Sequence, residues 1–127
     1  MYDVAVTAML AGTLDLVADP ILVAAHDQGT PFQSDALTWS DVPAPIAGMA
    51  HQPLIDRQAY RRALLASDLT FPTLPENRVL GVLVLYRETD EMVIAYLDTR
   101  PDRMLLAVAG NAGPVTVAWA GGTVLSL

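Results

Sequence analysis

The chain has no cysteine and no lysine. The first absence excludes a disulfide framework and any thiolate metal site. The second reads as compositional bias, and no function is drawn from it. Aromatic residues make up only 6% of the chain, and a nucleic-acid role would need more aromatic interleaving. Positive charge is short as well: 7 basic residues stand against 14 acidic ones, for a net charge of −7. So acidic a domain, with no basic stripe, is not expected to bind nucleic acid or an anionic membrane surface. Long hydrophobic runs are missing too. The longest reach about seven residues, against the roughly 20 of a membrane-spanning helix. Asp3 stands where a secretory leader carries positive charge, so no secretory signal is expected.

What is present is apolar. Hydrophobic residues make up 53% of the 127, and mean hydropathy is +0.37. A chain of this length forms one domain and buries a core without metals or disulfides. It cannot hide that much apolar surface alone, so a homo-oligomer or docking onto a larger assembly is expected.

The most apolar stretch is residues 78–98, RVLGVLVLYRETDEMVIAYLD. Two apolar runs, Val79–Tyr86 and Met92–Leu97, flank the charged segment Arg87–Glu91. This predicts a β-hairpin with a five-residue loop. Alternation places Val79, Leu83 and Leu85 on one face of the first strand and Leu80, Val82 and Val84 on the other. With both faces apolar the strand belongs at the centre of the fold. Its second face needs a cover, either the segment from Trp39 to Gly48 or a neighbouring subunit.

The rest of the chain reads mostly as short strands between turn signals. Residues 2–10 fit a short helix or a strand, and Gly12 ends the element. Asp19-Pro20 marks a turn before a strand at Ile21–Ala25, and His26–Ser34 reads as loop. Pro43 and Pro45 interrupt residues 35–50. Gln52–Leu65 reads as one extended or kinked strand, with a helix over Asp56–Leu65 as the competitor. Ser67–Phe71, Met104–Val108, Val115–Trp119 and Thr123–Leu127 complete the strands, with GNAG at Gly110–Gly113 as a tight turn. The total is about seven or eight strands at sandwich or barrel spacing. The expected fold is an all-β, antiparallel β-sandwich or jelly-roll-like domain over residues 1–127, with a short N-terminal helix as an option.

No arrangement of residues announces a reaction. His26 and His51 are the only histidines, and neither has ligands at metal-site spacing. His26-Asp27 has the form of a base and its orienting carboxylate, or of half a metal site, but a loop histidine facing solvent or a carbonyl fits better. Ser34, Ser40, Ser67 and Ser126 lie in no G-x-S-x-G context. Asp15, Asp19 and Asp98 lack a D-x-D-x-D-G loop, and turn or capping roles suit them better than calcium. Tyr86, Tyr96 and Trp119 read as core. Arg57, Arg61 and Arg62 form the only basic cluster, which suits salt bridges between subunits. Phe32 and Trp39 sit in loop-like sequence, where an aromatic either staples the loop or meets a partner. Phe32, Trp39, Arg57, Arg61 and Arg62 are therefore the candidate interface residues. No catalytic residue, cofactor or metal is expected.

Four stretches in order resemble a family of small tailed-bacteriophage virion proteins. The first is a G-x-[LI]-D-[LW] step, Gly12-Thr13-Leu14-Asp15-Leu16, followed by Asp19-Pro20-Ile21 and the apolar run to Ala25. The second is an aromatic and D-V before a glycine, Trp39-Ser40-Asp41-Val42 and then Ala47-Gly48. The third is Ser67-Asp68-Leu69-Thr70-Phe71, leading into Val84-Leu85-Tyr86-Arg87-Glu88-Thr89 and Ile94-Ala95-Tyr96-Leu97-Asp98. The last is Val117-Ala118-Trp119 with Gly122 and Val124, and Leu127 behind them. The chain departs from the pattern after Gly48, where Met49-Ala50-His51 replaces a common Gly-Tyr pair.

The resemblance implies a β-sandwich or jelly-roll that assembles on the virion. It implies a decoration (cement) protein on the outer capsid surface, binding the major capsid protein as a trimer or a dimer. A tail or baseplate component is the alternative within that class. A small sugar-binding module or sandwich-fold enzyme is the alternative outside it. The shared motifs are structural, so the resemblance brings no catalytic residue with it.

Overall fold

A computed structural model of the chain describes residues 1–98, 107–119 and 122–126. Residues 3–10 resolve their ambiguity as a helix, α1 (Asp3–Leu10), with Asp3 in the first turn. Gly12, at φ 76°, takes the left-handed position that ends it. The amides of Gly12 and Thr13 then bond the carbonyls of Met9 (3.1 Å) and Ala8 (2.8 Å), closing a Schellman motif.

The strands follow as β1 (Ile21–Asp27), β2 (Gln52–Pro53), β3 (Gln58–Tyr60), β4 (Ala63–Leu65), β5 (Leu69–Phe71) and β6 (Val79–Arg87). After them come β7 (Val93–Leu97), β8 (Val108–Ala109), β9 (Val115–Val117) and β10 (Thr123–Ser126). The main sheet has the order β2-β1-β6-β7, with β8 also on β6. A three-stranded sheet, β10-β4-β3, and the pair β5-β9 complete the described strands. Every pairing among the described residues is antiparallel. The fold is all-β and sandwich-like, with one short N-terminal helix.

β6 is the axis of this arrangement. It pairs with β1 along one edge and with β7 and β8 along the other. On one face of the main sheet, Ile21, Val23, Ala25, Leu83 and Leu85 share a core with Leu64, Leu69, Phe71, Leu74, Val124 and Leu125. Trp119 is half-buried against this core and donates its indole N–H to the Ser67 carbonyl (3.1 Å). On the other face Ala24, Val82, Val84, Tyr86 and Val93 pack with Tyr2, Ala36, Trp39 and Val42. The chain's own N-terminus and its 36–42 segment therefore cover the second face.

Strict alternation fails in β6 before Val82. The β1 register jumps from His26↔Val82 to Asp27↔Leu80, so Gly81 is an extra residue, a β-bulge. A Cβ there would lie 2.3 Å from Gln28 Cα, which only glycine avoids. The bulge turns Leu80 into the core of Leu83 and Leu85, away from Val82 and Val84.

Other expectations are also corrected. Gln52–Leu65 is neither one strand nor a helix but three short strands, broken at Asp56 (φ 53°) and at Arg61 and Arg62 (φ 49° and 67°). His26 and Asp27 are not loop but the end of β1, and the described strands number ten rather than seven or eight. Ala112 takes φ 61° in the GNAG turn. The segment read as a connection at Thr99–Arg103, and most of the strand read at Met104–Val108, lie outside the described residues.

Candidate functional site

The bulge end of β1 places His26 under the 36–51 segment, and its side chain is 0% exposed. Neither ring nitrogen has a hydrogen-bond partner of good geometry among the described residues. Burial, helped by His51, pulls its pKa down to about 4, against weaker opposing effects of Asp27 and the Ala44 backbone. Asp27 cannot serve as its orienting carboxylate, because successive strand residues point to opposite faces. Asp27 instead takes a bidentate bond from Arg78, which holds its pKa below the usual carboxylate value.

Trp39 packs on His26, and Tyr86 and His51 pack in turn on Trp39. Trp39 lies in a 3-10 turn (Trp39–Asp41) whose Asp41 carboxylate accepts the amides of Leu37 (3.0 Å) and Thr38 (3.2 Å). The Trp39 amide bonds the Glu91 carbonyl (2.8 Å), tying this turn to the β6–β7 loop. The indole stacks on Tyr86 at 4.7 Å and meets His26 and His51 edge-on at 5.3 and 5.1 Å. His51 Nδ1 is hydrogen-bonded to the Tyr86 hydroxyl, and burial lowers the His51 pKa. A general base must reach a substrate proton, and His26 is sealed from any. The four rings form a packing lock. Among the described residues no three His, Asp or Glu side chains converge to hold a metal.

An open concave surface lies elsewhere. A groove of about 570 Å³ runs between the end of α1, the 13–19 turn and the β3–β4 hairpin. Its walls include Met9, Leu16, Val17, Tyr60, Arg61 and Arg62. Val17 and Tyr60 are 41% and 58% exposed, and Leu10 beside the groove is 86% exposed. Arg61 and Arg62 are the two residues of a hairpin turn that favours Asn-Gly, and both are left-handed. Each costs about 1 kcal/mol or more in that conformation, a strain that collects at clamps and binding sites.

Two arginines hold the 13–19 turn from its two sides. Arg57 donates to the carbonyls of Leu16 (3.0 Å) and Asp19. Arg87 donates to the Asp90 carboxylate (2.8 and 3.0 Å), the Asp19 carboxylate (2.9 Å) and the Thr13 carbonyl (2.6 Å). A backbone bond at Asp15 and the Arg87 guanidinium hold the Asp19 carboxyl below the usual range. Asp15 accepts the amides of Val17 (2.9 Å) and Ala18 (3.1 Å), so the two aspartates brace a turn.

Of the candidate interface residues, Arg61 and Arg62 line the groove and Arg57 braces its wall. Trp39 belongs to the histidine cluster. Phe32, 45% exposed, leans on Tyr2 at 5.1 Å and Tyr96 at 5.2 Å. The apolar walls of the groove escape a reading of the sequence, since Met9, Leu16 and Val17 lie far from Tyr60 in the chain. The arginine pair was their one signal. No family model, curated protein or solved structure matches the chain.

Proposed function

We propose that this protein is a structural component of a tailed-phage virion, a decoration protein on the outer capsid surface that binds the major capsid protein. The observation that carries this reading is the groove between α1 and the β3–β4 hairpin. It joins exposed apolar side chains to an arginine tip on an otherwise acidic domain. The resemblance of four sequence stretches to small virion proteins supports it. Cementing would work by burying this surface across junctions between capsomers, adding contact area where the shell parts.

The test is binding of the isolated protein to empty mature heads. Stoichiometric binding and a higher disruption temperature of the heads are expected. Absence of binding overturns the reading, and label at the tail in negative-stain images moves the protein to the tail.

A further inference from the structure

We infer that the end of the molecule carrying the groove pairs with the same end of a second copy, about a twofold axis. Two exposed turns of opposite charge flank that end. The β3–β4 turn presents Arg61 and Arg62, and no described carboxylate forms an ion pair with either. The β6–β7 turn presents Glu88 and Glu91, both exposed and likewise without an ion-pair partner among the described residues. Asp90 is already held by Arg87.

The 13–19 turn joins the two. Leu16 and Val17 line the groove beside the arginine turn. The Thr13 carbonyl and the Asp19 carboxylate accept from Arg87 at the root of the acidic turn, and the Glu88 amide bonds the Pro20 carbonyl (3.0 Å). Basic and acidic turns thus sit on one end of the chain with an apolar strip, Leu16, Val17 and Tyr60, between them. A twofold operation lays each basic turn on its mate's acidic turn, so that one patch complements itself. Val17 and Tyr60 supply apolar area at the middle, where an interface is driest.

The pairing claims the same groove that the virion reading gives to the shell, and head binding by a chain that stays monomeric separates the two: it keeps the virion reading and overturns the pairing. Sedimentation velocity of the full chain at low and high salt tests it. A reversible dimer that weakens with salt is expected. Arg61→Glu with Arg62→Glu, and separately Glu88→Arg with Glu91→Arg, should each weaken self-association about a hundredfold or more, through like-charge contact. Mixing the two variants should restore a one-to-one heterodimer, since each then supplies what the other lacks. All four positions are exposed, so circular dichroism and melting temperature check that the variants fold. A wild-type monomer at every concentration, or a dimer indifferent to both reversals, overturns the inference. So does a mixture of the two variants that stays monomeric.

Discussion

At the scale of the residue, His26 is a costly position. A buried imidazole with no good hydrogen bond costs about 1–3 kcal/mol. Its pKa falls from 6.5 to about 4 on folding, so the unfolded chain binds the proton more readily. Stability from this group is therefore whole above pH 6.5 and drains away as pH falls toward 4, by about 3 kcal/mol in all. His26→Leu should raise stability at neutral pH by about 1–2 kcal/mol and flatten that limb in urea titrations. An unchanged limb would assign the loss to another group. The Arg61–Arg62 turn has a residue-scale test of its own. Replacing the pair by Asn-Gly should stabilise the fold by about 1 kcal/mol through relief of left-handed strain, while weakening self-association.

At the scale of the element, the sequence predicts the β6–β7 hairpin well, because unbroken apolar runs on both faces demand a central strand. It does not predict the β3–β4 hairpin, because Arg-Arg carries no turn signal and its strands are three residues each. The burial of His26 is hidden for a related reason: a polar residue beside Gln28-Gly29 reads as loop. Gly81 shows how one residue re-aims a strand. Gly81→Ala would drive a methyl into the Gln28 backbone and should cost about 1–3 kcal/mol, visible as a lower urea midpoint. Arg87 ties β6 to the 13–19 turn and to the β6–β7 loop. With partial exposure discounted, Arg87→Ala should cost about 1–2 kcal/mol. It should also raise the pKa values of Asp19 and Asp90, readable by carboxyl NMR.

At the scale of the whole molecule, acid should act in two phases. The first belongs to the two histidines, His26 between pH 6.5 and about 4 and His51 below pH 6.5, since burial lowers both. The second belongs to Asp19, Asp27 and Asp90, whose folded pKa values are depressed by arginine or backbone bonds. Their contribution is present above the carboxylate's ordinary value of 3.8 and is lost as pH falls through the folded values. His26→Leu should shrink the first phase to the His51 part and leave the second, a separation that chemical denaturation across pH can resolve. The topology also sets an order in time. Ile21 pairs with Arg87, Ala63 with Ser126, and the Tyr2 amide with the Ile94 carbonyl. Closing loops of that length is slow, and it precedes most of the burial that rewards it. During synthesis β1 waits, apolar on both faces, until residue 87 has left the ribosome. For that interval the strand destined for the centre of the sheet is an open edge, and a neighbouring nascent chain is its nearest competitor for pairing.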